Sequence, residues 1–252
     1  MTFLYRLYQV LFIAPFILLS TLITTLTTGI GSMIGLRRWC AFYPSQLWGY
    51  TLIRALFLPV QVTGREHLKK GQSYVFVANH QGAFDIFFLC GFLGREFKWM
   101  LKASLRHMPF VGFACEKAGY IFVDRSSRAA VNRTMQEARE RLTDGTSLMV
   151  FPEGTRSHDG RLSTFRRGAF QLADELQLPV VPITLDGCFD LLPRDKGLSF
   201  VRWHRLRMTI HAPIVPTCQG SDNVRTTLKA AHSAINSALP ERHQACETPT
   251  QD

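Results

Sequence analysis

Between Leu7 and Leu36 the chain reads LYQVLFIAPFILLSTLITTLTTGIGSMIGL, thirty residues without one charged side chain. As helix that stretch would extend ~45 Å, more than the ~30 Å hydrocarbon core of a bilayer requires, and soluble core helices do not stay free of charge for so long. Pro15 removes a backbone donor and Gly29 and Gly31 loosen the chain, so residues 1–43 are expected to form a membrane-embedded anchor, either a kinked helix or a two-helix hairpin. The stretch is too long for a cleaved signal peptide, and no A-x-A site follows it. Arg37, Arg38 and Trp39 come next, as expected where a segment reaches the headgroups. GIGSMIG lacks the spacing and the preceding strand of a nucleotide loop; Gly31 and Gly35 instead suit close helix packing in lipid.

After the anchor, residues 44–62 (PSQLWGYTLIRALFLPVQV) read as an interfacial connecting helix that ends at Pro59. Short apolar runs then alternate with amphipathic stretches. SYVFVAN (73–79), GYIFV (119–123), SLMVFP (147–152) and VVPITL (180–185) read as strands, being β-branched or aromatic and bounded by turn formers. Residues 127–143 read as a helix capped by Ser126 or Ser127, and Arg167 to Leu176 and about 222–238 as two more. Near-continuous apolar strands alternating with helices predict an α/β domain over 63–239, a mixed and largely parallel sheet covered by helices on both faces. The polar end, PERHQACETPTQD (240–252), is expected to be unordered.

The 29 Lys and Arg against 19 Asp and Glu leave a net charge of +10, which calls for an anionic partner: a membrane surface or phosphate-bearing substrates. No zinc knuckle, basic zipper or RNP motif is present, so nucleic acid is not an expected partner. The cysteines (40, 90, 115, 188, 218 and 246) are scattered without a CxxC pair, which points to neither a metal site nor a disulfide framework.

Three polar clusters fall at the carboxyl ends of predicted strands, where open α/β sheets place their sites. The first is ANHQGAFD. His80 and Asp85 stand five apart, off one helix face, but a strand-to-helix turn through Gly82 would let the carboxylate reach an imidazole nitrogen. Such a pair could work as a general base; the same spacing equally suits a structural pair, with Asp85 capping a helix. No GxSxG elbow and no Cys–His pair supplies a nucleophile, so a base would act on a substrate hydroxyl directly. The second cluster is Val123-Asp124-Arg125 and the third PEGTRS (152–157). Arg125 and Arg156 offer the planar fork that matches phosphate oxygens, while Gly154 and Thr155 allow close backbone approach and a hydroxyl donor. Glu153, out of place in a plain anion site, is expected to orient an arginine or accept a substrate hydroxyl. In KWMLKASLR, Lys98, Lys102 and Arg106 stand four apart; if helical they form one cationic stripe, fit for a phosphate-rich ligand or simply for solvent. Arg166 and Arg167 enter the next helix, where cations and N-terminal amides together suit a phosphate.

These clusters resemble a known family. NHQGAFD is similar to the HxxxxD motif of glycerolipid acyltransferases, GYIFVDR to their second motif, FPEGTRS to their third and LPVVPI (178–183) to their fourth, in the same order and spacing. The resemblance covers about residues 60–215, and its closest likeness is to bacterial 1-acyl-sn-glycerol-3-phosphate acyltransferases. It implies transfer of a fatty acyl chain from acyl-CoA or acyl carrier protein to the sn-2 hydroxyl of lysophosphatidic acid, giving phosphatidic acid in phospholipid biosynthesis. It further implies His80 as the base and Asp85 as its orienting partner. Arg125, Glu153, Gly154, Thr155 and Arg156 would hold the glycerol phosphate, helped by Lys102, Arg166 and Arg167, and Pro182 would shape the acyl pocket. No metal, cofactor or acyl-enzyme is implied, and the location implied is a bacterial inner membrane with the catalytic domain facing the cytoplasm. Val123 in place of Ile, and Gly82-Ala83-Phe84 within the first motif, are mild departures that leave other acceptors open, such as lyso-ornithine lipid or lysophosphatidylglycerol. A non-catalytic protein that binds anionic lipid is the alternative of a different class.

Overall fold

The computed structural model describes residues 2–124, 127–142, 145–194 and 200–246. The amino-terminal stretch is helical nearly throughout: α1 (Thr2–Tyr8), a π-helical segment (Gln9–Ile13) and α2 (Ala14–Met33) run on from one another. The π segment lies immediately before Pro15, and a wider turn there absorbs the donor and the space that proline takes from the ladder. After a turn in which Gly35 adopts φ +91°, α3 (Arg37–Ala55) folds back on α2. Trp48 Nε1 donates to Thr21 Oγ1 at 3.1 Å, and the hydroxyls of Tyr5 and Tyr8 donate to the carbonyls of Leu56 and Ala55. The arrangement is thus a helical hairpin whose first arm is long. Gly31 is the residue that permits the close approach, since a Cβ there would collide with Cys40 Sγ; Gly35 faces open space and serves the turn.

The boundary expected at residue 43/44 falls inside α3, which has Pro44 in its interior, and the connecting helix expected over 44–62 ends at Ala55. Residues Val60–Thr63 form strand β1 instead. The helix Phe3–Met33 is long and apolar enough to cross a bilayer, and only 11% of its most apolar window is buried.

The remaining strands are β2 (Val75–Ala78), β3 (Phe97–Lys102), β4 (Ile121–Val123), β5 (Ser147–Val150), β6 (Val180–Asp186) and β7 (Leu206–Ile210). They make one mixed, mostly parallel sheet in the order β1-β7-β6-β2-β5-β3-β4, in which β6 and β7 pair antiparallel. Helices α4 (Phe84–Phe92), α5 (Val111–Ala118), α6 (Arg128–Arg141), α7 (Gly168–Leu176), the single turn α8 (Cys188–Leu191) and α9 (Ser221–Ala238) complete it, with α6 packed on β4 and α9 on β6. By packing the chain divides into two units. One holds residues 1–58, 69–75 and 86–150; the other holds 59–68, 76–85 and 151–252.

In the first unit, Ser127 caps α6 by accepting from Ala130 N at 3.1 Å. KWMLKASLR does not form the cationic helical stripe. Phe97–Lys102 is strand, Ala103–His107 a 3₁₀ turn, and Lys98 is buried with its ammonium on the carbonyl of Ala118 at 2.9 Å. Three apolar residues around Lys98 supply strand burial that outweighs the helical spacing of the cations. Burial pulls the Lys98 ammonium down to about 8.

In the second unit, every residue of β6 is buried, whereas β7 alternates, with Leu206, Met208 and Ile210 inward. The end expected to be unordered is partly built: Glu241–His243 form a 3₁₀ turn, His243 is 3% exposed, and its carbonyl accepts from Leu162 N at 2.9 Å. The ion pair of Arg242 with Asp190, and the contact of His243 Nε2 with the same carboxylate, hold a segment whose polar composition alone would leave it loose. Residues 247–252 lie outside the described ones.

Candidate active site

His80, Asp85 and the segment from Phe151 to Arg167 belong to the second unit. Strand β2 ends at Ala78, and Asn79 ties the chain to β6 by exchanging two hydrogen bonds with the backbone of Leu185, at 2.8 and 2.7 Å. His80 follows. Its Nδ1 lies 2.7 Å from Asp85 Oδ2, and the same oxygen accepts the backbone N–H groups of Gln81 and Gly82 at 2.8 Å each. Asp85 stands in the first turn of α4 with its side chain fully buried. One carboxylate oxygen thus both closes the strand-to-helix turn and orients the imidazole. A carboxylate accepts only, so Nδ1 carries the proton and Nε2 is left as the basic nitrogen. Nε2 makes no hydrogen bond among the described residues, and the ring is 15% exposed.

Gly82 is needed for a different reason than an unusual bend. Its φ is not positive; a Cβ there would stand 2.8 Å from the carbonyl oxygen of Cys188. The Cys188 thiol is held well above its usual range by burial and by the neighbouring Asp85. All six cysteines are free, and burial likewise pushes Cys90 and Cys115 up to about 12, which keeps these thiols unreactive.

The segment after β5 wraps His80. Phe151 stacks on the imidazole, with centroids 3.9 Å apart and planes 7° from parallel. Glu153 Oε1 accepts the backbone N–H of His80 at 2.7 Å, and Ser157 N donates to the carbonyl of His80 at 2.8 Å. The second oxygen of Glu153 accepts from Ser163 N at 3.0 Å and from Ser163 Oγ at 2.7 Å. Glu153 is 5% exposed; burial raises its carboxyl, and the bonds from His80 and Ser163 pull it back. Both oxygens of Glu153 are engaged by backbone and serine donors, and no arginine is among its partners in the described residues. Its work is to fix the backbone of His80.

Around this clamp the surface is cationic. Gly154 (φ +80°), Thr155 and Arg156 are exposed, as are Arg166 and Arg167 just before α7. Arg166 lies over Gly154, where a Cβ would stand 2.9 Å from its Nε, and its backbone N–H donates to Pro152 O at 2.9 Å. Arg194 joins the group, with Nη1 at 2.9 Å from both Arg156 O and His158 Nε2. Pro182 is buried in mid-β6, where its carbonyl accepts from His211 N. Lys102 closes β3 in the first unit, paired in register with Val123. Arg125 lies outside the described residues. Sequence reasoning missed Phe151 and Ser163 as contributors; Phe151 was at hand as the first residue of the FPEGTRS motif, whereas nothing in LSTF marks Ser163.

Among the described residues one group, Asp186, Asp190 and His243, has the composition of a metal site. Arg207 pairs with Asp186 at 3.3 Å and Arg242 with Asp190 at 2.8 Å, so two guanidinium groups already offset both carboxylates and would repel a divalent cation.

Taken together, the strand-end His–Asp pair, its clamp and the arginines beside it give an α/β protein an oriented imidazole next to a cationic surface. The chain belongs to the Acyltransferase family, whose model matches residues 59–186. It is 34% identical over 205 residues to a 1-acyl-sn-glycerol-3-phosphate acyltransferase of Chlamydomonas reinhardtii, covering 81% of this chain and 60% of that one. It is 39% identical over 132 residues to the human 1-acyl-sn-glycerol-3-phosphate acyltransferase alpha, covering 52% and 47%. The chain thus spans about half to three-fifths of the length of these relatives. The same fold occurs in the crystal structure of PlsC, the 1-acyl-sn-glycerophosphate (LPA) acyltransferase of Thermotoga maritima, with a TM-score of 0.67 at 24% identity over 92% of this chain and 90% of that one.

Proposed function

We propose that the protein moves a fatty acyl group from an acyl thioester, acyl-CoA or acyl carrier protein, to the sn-2 hydroxyl of 1-acyl-glycerol-3-phosphate, giving phosphatidic acid. The observation that carries this reading is the Nδ1–Asp85 bond at 2.7 Å, which leaves Nε2 of His80 as an oriented base on a partly buried ring. In the reaction the acceptor hydroxyl gives its proton to Nε2 while its oxygen bonds to the thioester carbonyl carbon. Asp85 stabilises the imidazolium that forms. Collapse of the tetrahedral adduct breaks the C–S bond, and the departing thiolate takes the proton back from Nε2. No covalent enzyme intermediate enters, and no metal or cofactor is called for. Arg156, Arg166 and Arg167, with Gly154 and Thr155, are the groups assigned to the acceptor phosphate. Pro182 is assigned to the wall of the acyl pocket.

The acceptor and the product are lipids, and the apolar helix Phe3–Met33, long enough to cross a bilayer, supports a membrane location for the protein. Because α3 carries Arg37, Arg38 and Arg54, the hairpin suits insertion into one leaflet rather than two full crossings. Acyl-CoA and acyl carrier protein are cytoplasmic, so a bacterial inner membrane with the catalytic part on the cytoplasmic side is the location that fits.

The test is acyl transfer from labelled acyl-CoA to a panel of lysolipids by purified full-length protein, beside His80→Ala. Lysophosphatidic acid should be the preferred acceptor, and the variant should lose about 10²–10⁴ in rate, the usual worth of a general base. Equal turnover by His80→Ala would sink the base assignment. Preference for lyso-ornithine lipid or lysophosphatidylglycerol would reassign the acceptor, and no transfer to any lysolipid would leave a lipid-binding protein.

A further inference from the structure

The first unit carries a second apolar feature beside its long helix. Between the 3₁₀ turn Ala103–His107 and α5 lie Met108, Pro109 and Phe110. Met108, Phe110 and Phe113 are 45%, 61% and 42% exposed. Phe110 is held at φ +59°, a conformation disfavoured for any residue with a Cβ, and this turns its ring outward.

We propose that the Met108–Phe113 turn is a second point of membrane insertion. Phe110 sits beneath the headgroups of an anionic leaflet, while Arg106, His107 and Lys117 meet the lipid phosphates. Two observations single out a bilayer as the occupant. The first is continuity: α5 packs on α2, and the ring of Phe113 fills the space over Gly29, so the turn borders the bare apolar flank of Phe3–Met33. Whatever covers that flank reaches the turn as well. The second is charge, since residues 103–119 carry Arg106 and Lys117 against the single acid Glu116. Aromatic and apolar tips ringed by cations are the composition of interfacial segments on anionic lipid.

This inference rests on the membrane-bound reading above, and the experiment separates the two. Benzoylphenylalanine is placed at position 110, at position 18 on α2 (Leu18, 74% exposed) or at position 136 on α6 (Gln136, exposed) of the full chain. The proteins are reconstituted in phosphatidylcholine vesicles containing phosphatidylglycerol, irradiated and analysed by mass spectrometry for lipid adducts. Given the 5–10 Å depth of interfacial segments, the yield at 110 should lie within about threefold of that at 18 and at least about tenfold above that at 136. Removing phosphatidylglycerol should lower the yield at 110 and leave 18 unchanged. Adducts at 18 but not at 110, or protein adducts at 110 in place of lipid, overturn the insertion of the turn. Absence of adducts at both 18 and 110 overturns the membrane reading and this inference with it. Position 108 serves as the probe if the protein altered at 110 does not accumulate.

Discussion

The most informative perturbation of this site is Glu153→Ala, because it asks whether the acid of PEGTRS holds substrate or holds His80. In the structure the carboxylate receives three hydrogen bonds, from His80 N at 2.7 Å, Ser163 N at 3.0 Å and Ser163 Oγ at 2.7 Å. The serine hydroxyl can turn elsewhere; the two backbone N–H groups cannot. Leaving each unpaired costs about 1–3 kcal/mol, and the removed charge was itself costly to bury, so a net loss of about 2–4 kcal/mol is expected. For a chain of this size that lowers Tm by roughly 4–16 °C. The imidazole loses the anchor of its own main chain while keeping Asp85 and Phe151, and a displacement of about 1 Å at a catalytic group costs on the order of 10² in rate. The assay is acyl transfer with both substrate concentrations varied. A positioning role predicts a kcat lowered about 10²-fold with the KM for lysophosphatidic acid within about twofold of wild type. Ser163→Ala keeps the bond to His80 and should cost about tenfold or less by the same reasoning. A KM for the lysolipid raised more than tenfold at unchanged kcat would refute the clamp and return Glu153 to the acceptor site.

Two further outcomes follow from neighbouring residues. Arg156→Ala removes an exposed guanidinium from the cationic face and should raise the apparent KM for lysophosphatidic acid by about 10–100-fold, the worth of one charged hydrogen-bonding group, with little effect on that for acyl-CoA; equal effects on both would remove its headgroup role. Lys98 titrates at about 8 in the folded chain against about 10.4 unfolded, so the unfolded state binds more protons between those values and wild-type stability should rise with pH across that window, by up to about 3 kcal/mol. Lys98→Met should abolish that rise and increase stability at pH 7; urea denaturation at pH 7 and 10 that shows the same pH slope in both proteins would contradict it.

Much of the scaffold was legible because its signals are local. The runs VFVA, IFV, SLMV and VVPITLD are strands within a residue or two of expectation, since continuous β-branched and aromatic residues leave little else for a buried segment to do. Three strands escaped. In FKWMLK, Lys98 breaks the apolar run and the fourfold spacing of cations imitates a helix. LRMTI and VQVT are short, and each alternates against partners that no local window contains. The extent of α3 was missed for the opposite reason, because Arg37, Arg38 and Pro44 looked like a boundary that packing against α2 overrides.

By itself the sequence determined that the chain carries a charge-free apolar helix, an α/β body, a strong excess of cations and a histidine and aspartate at the end of a buried strand. Those are matters of composition and period, which survive any rearrangement of distant contacts. The tertiary structure alone decided what the polar residues do to each other. It set the 2.7 Å bond that joins His80 to Asp85 and gave the same carboxylate two backbone donors, and it engaged Glu153 with the main chain of His80. It also showed that Gly82 is small because Cys188 lies against it, not because its φ is positive. The Glu153 and Cys188 contacts depend on segments 70 or more residues apart meeting within hydrogen-bond or van der Waals range, and a linear pattern holds no information about that distance until the sheet has formed.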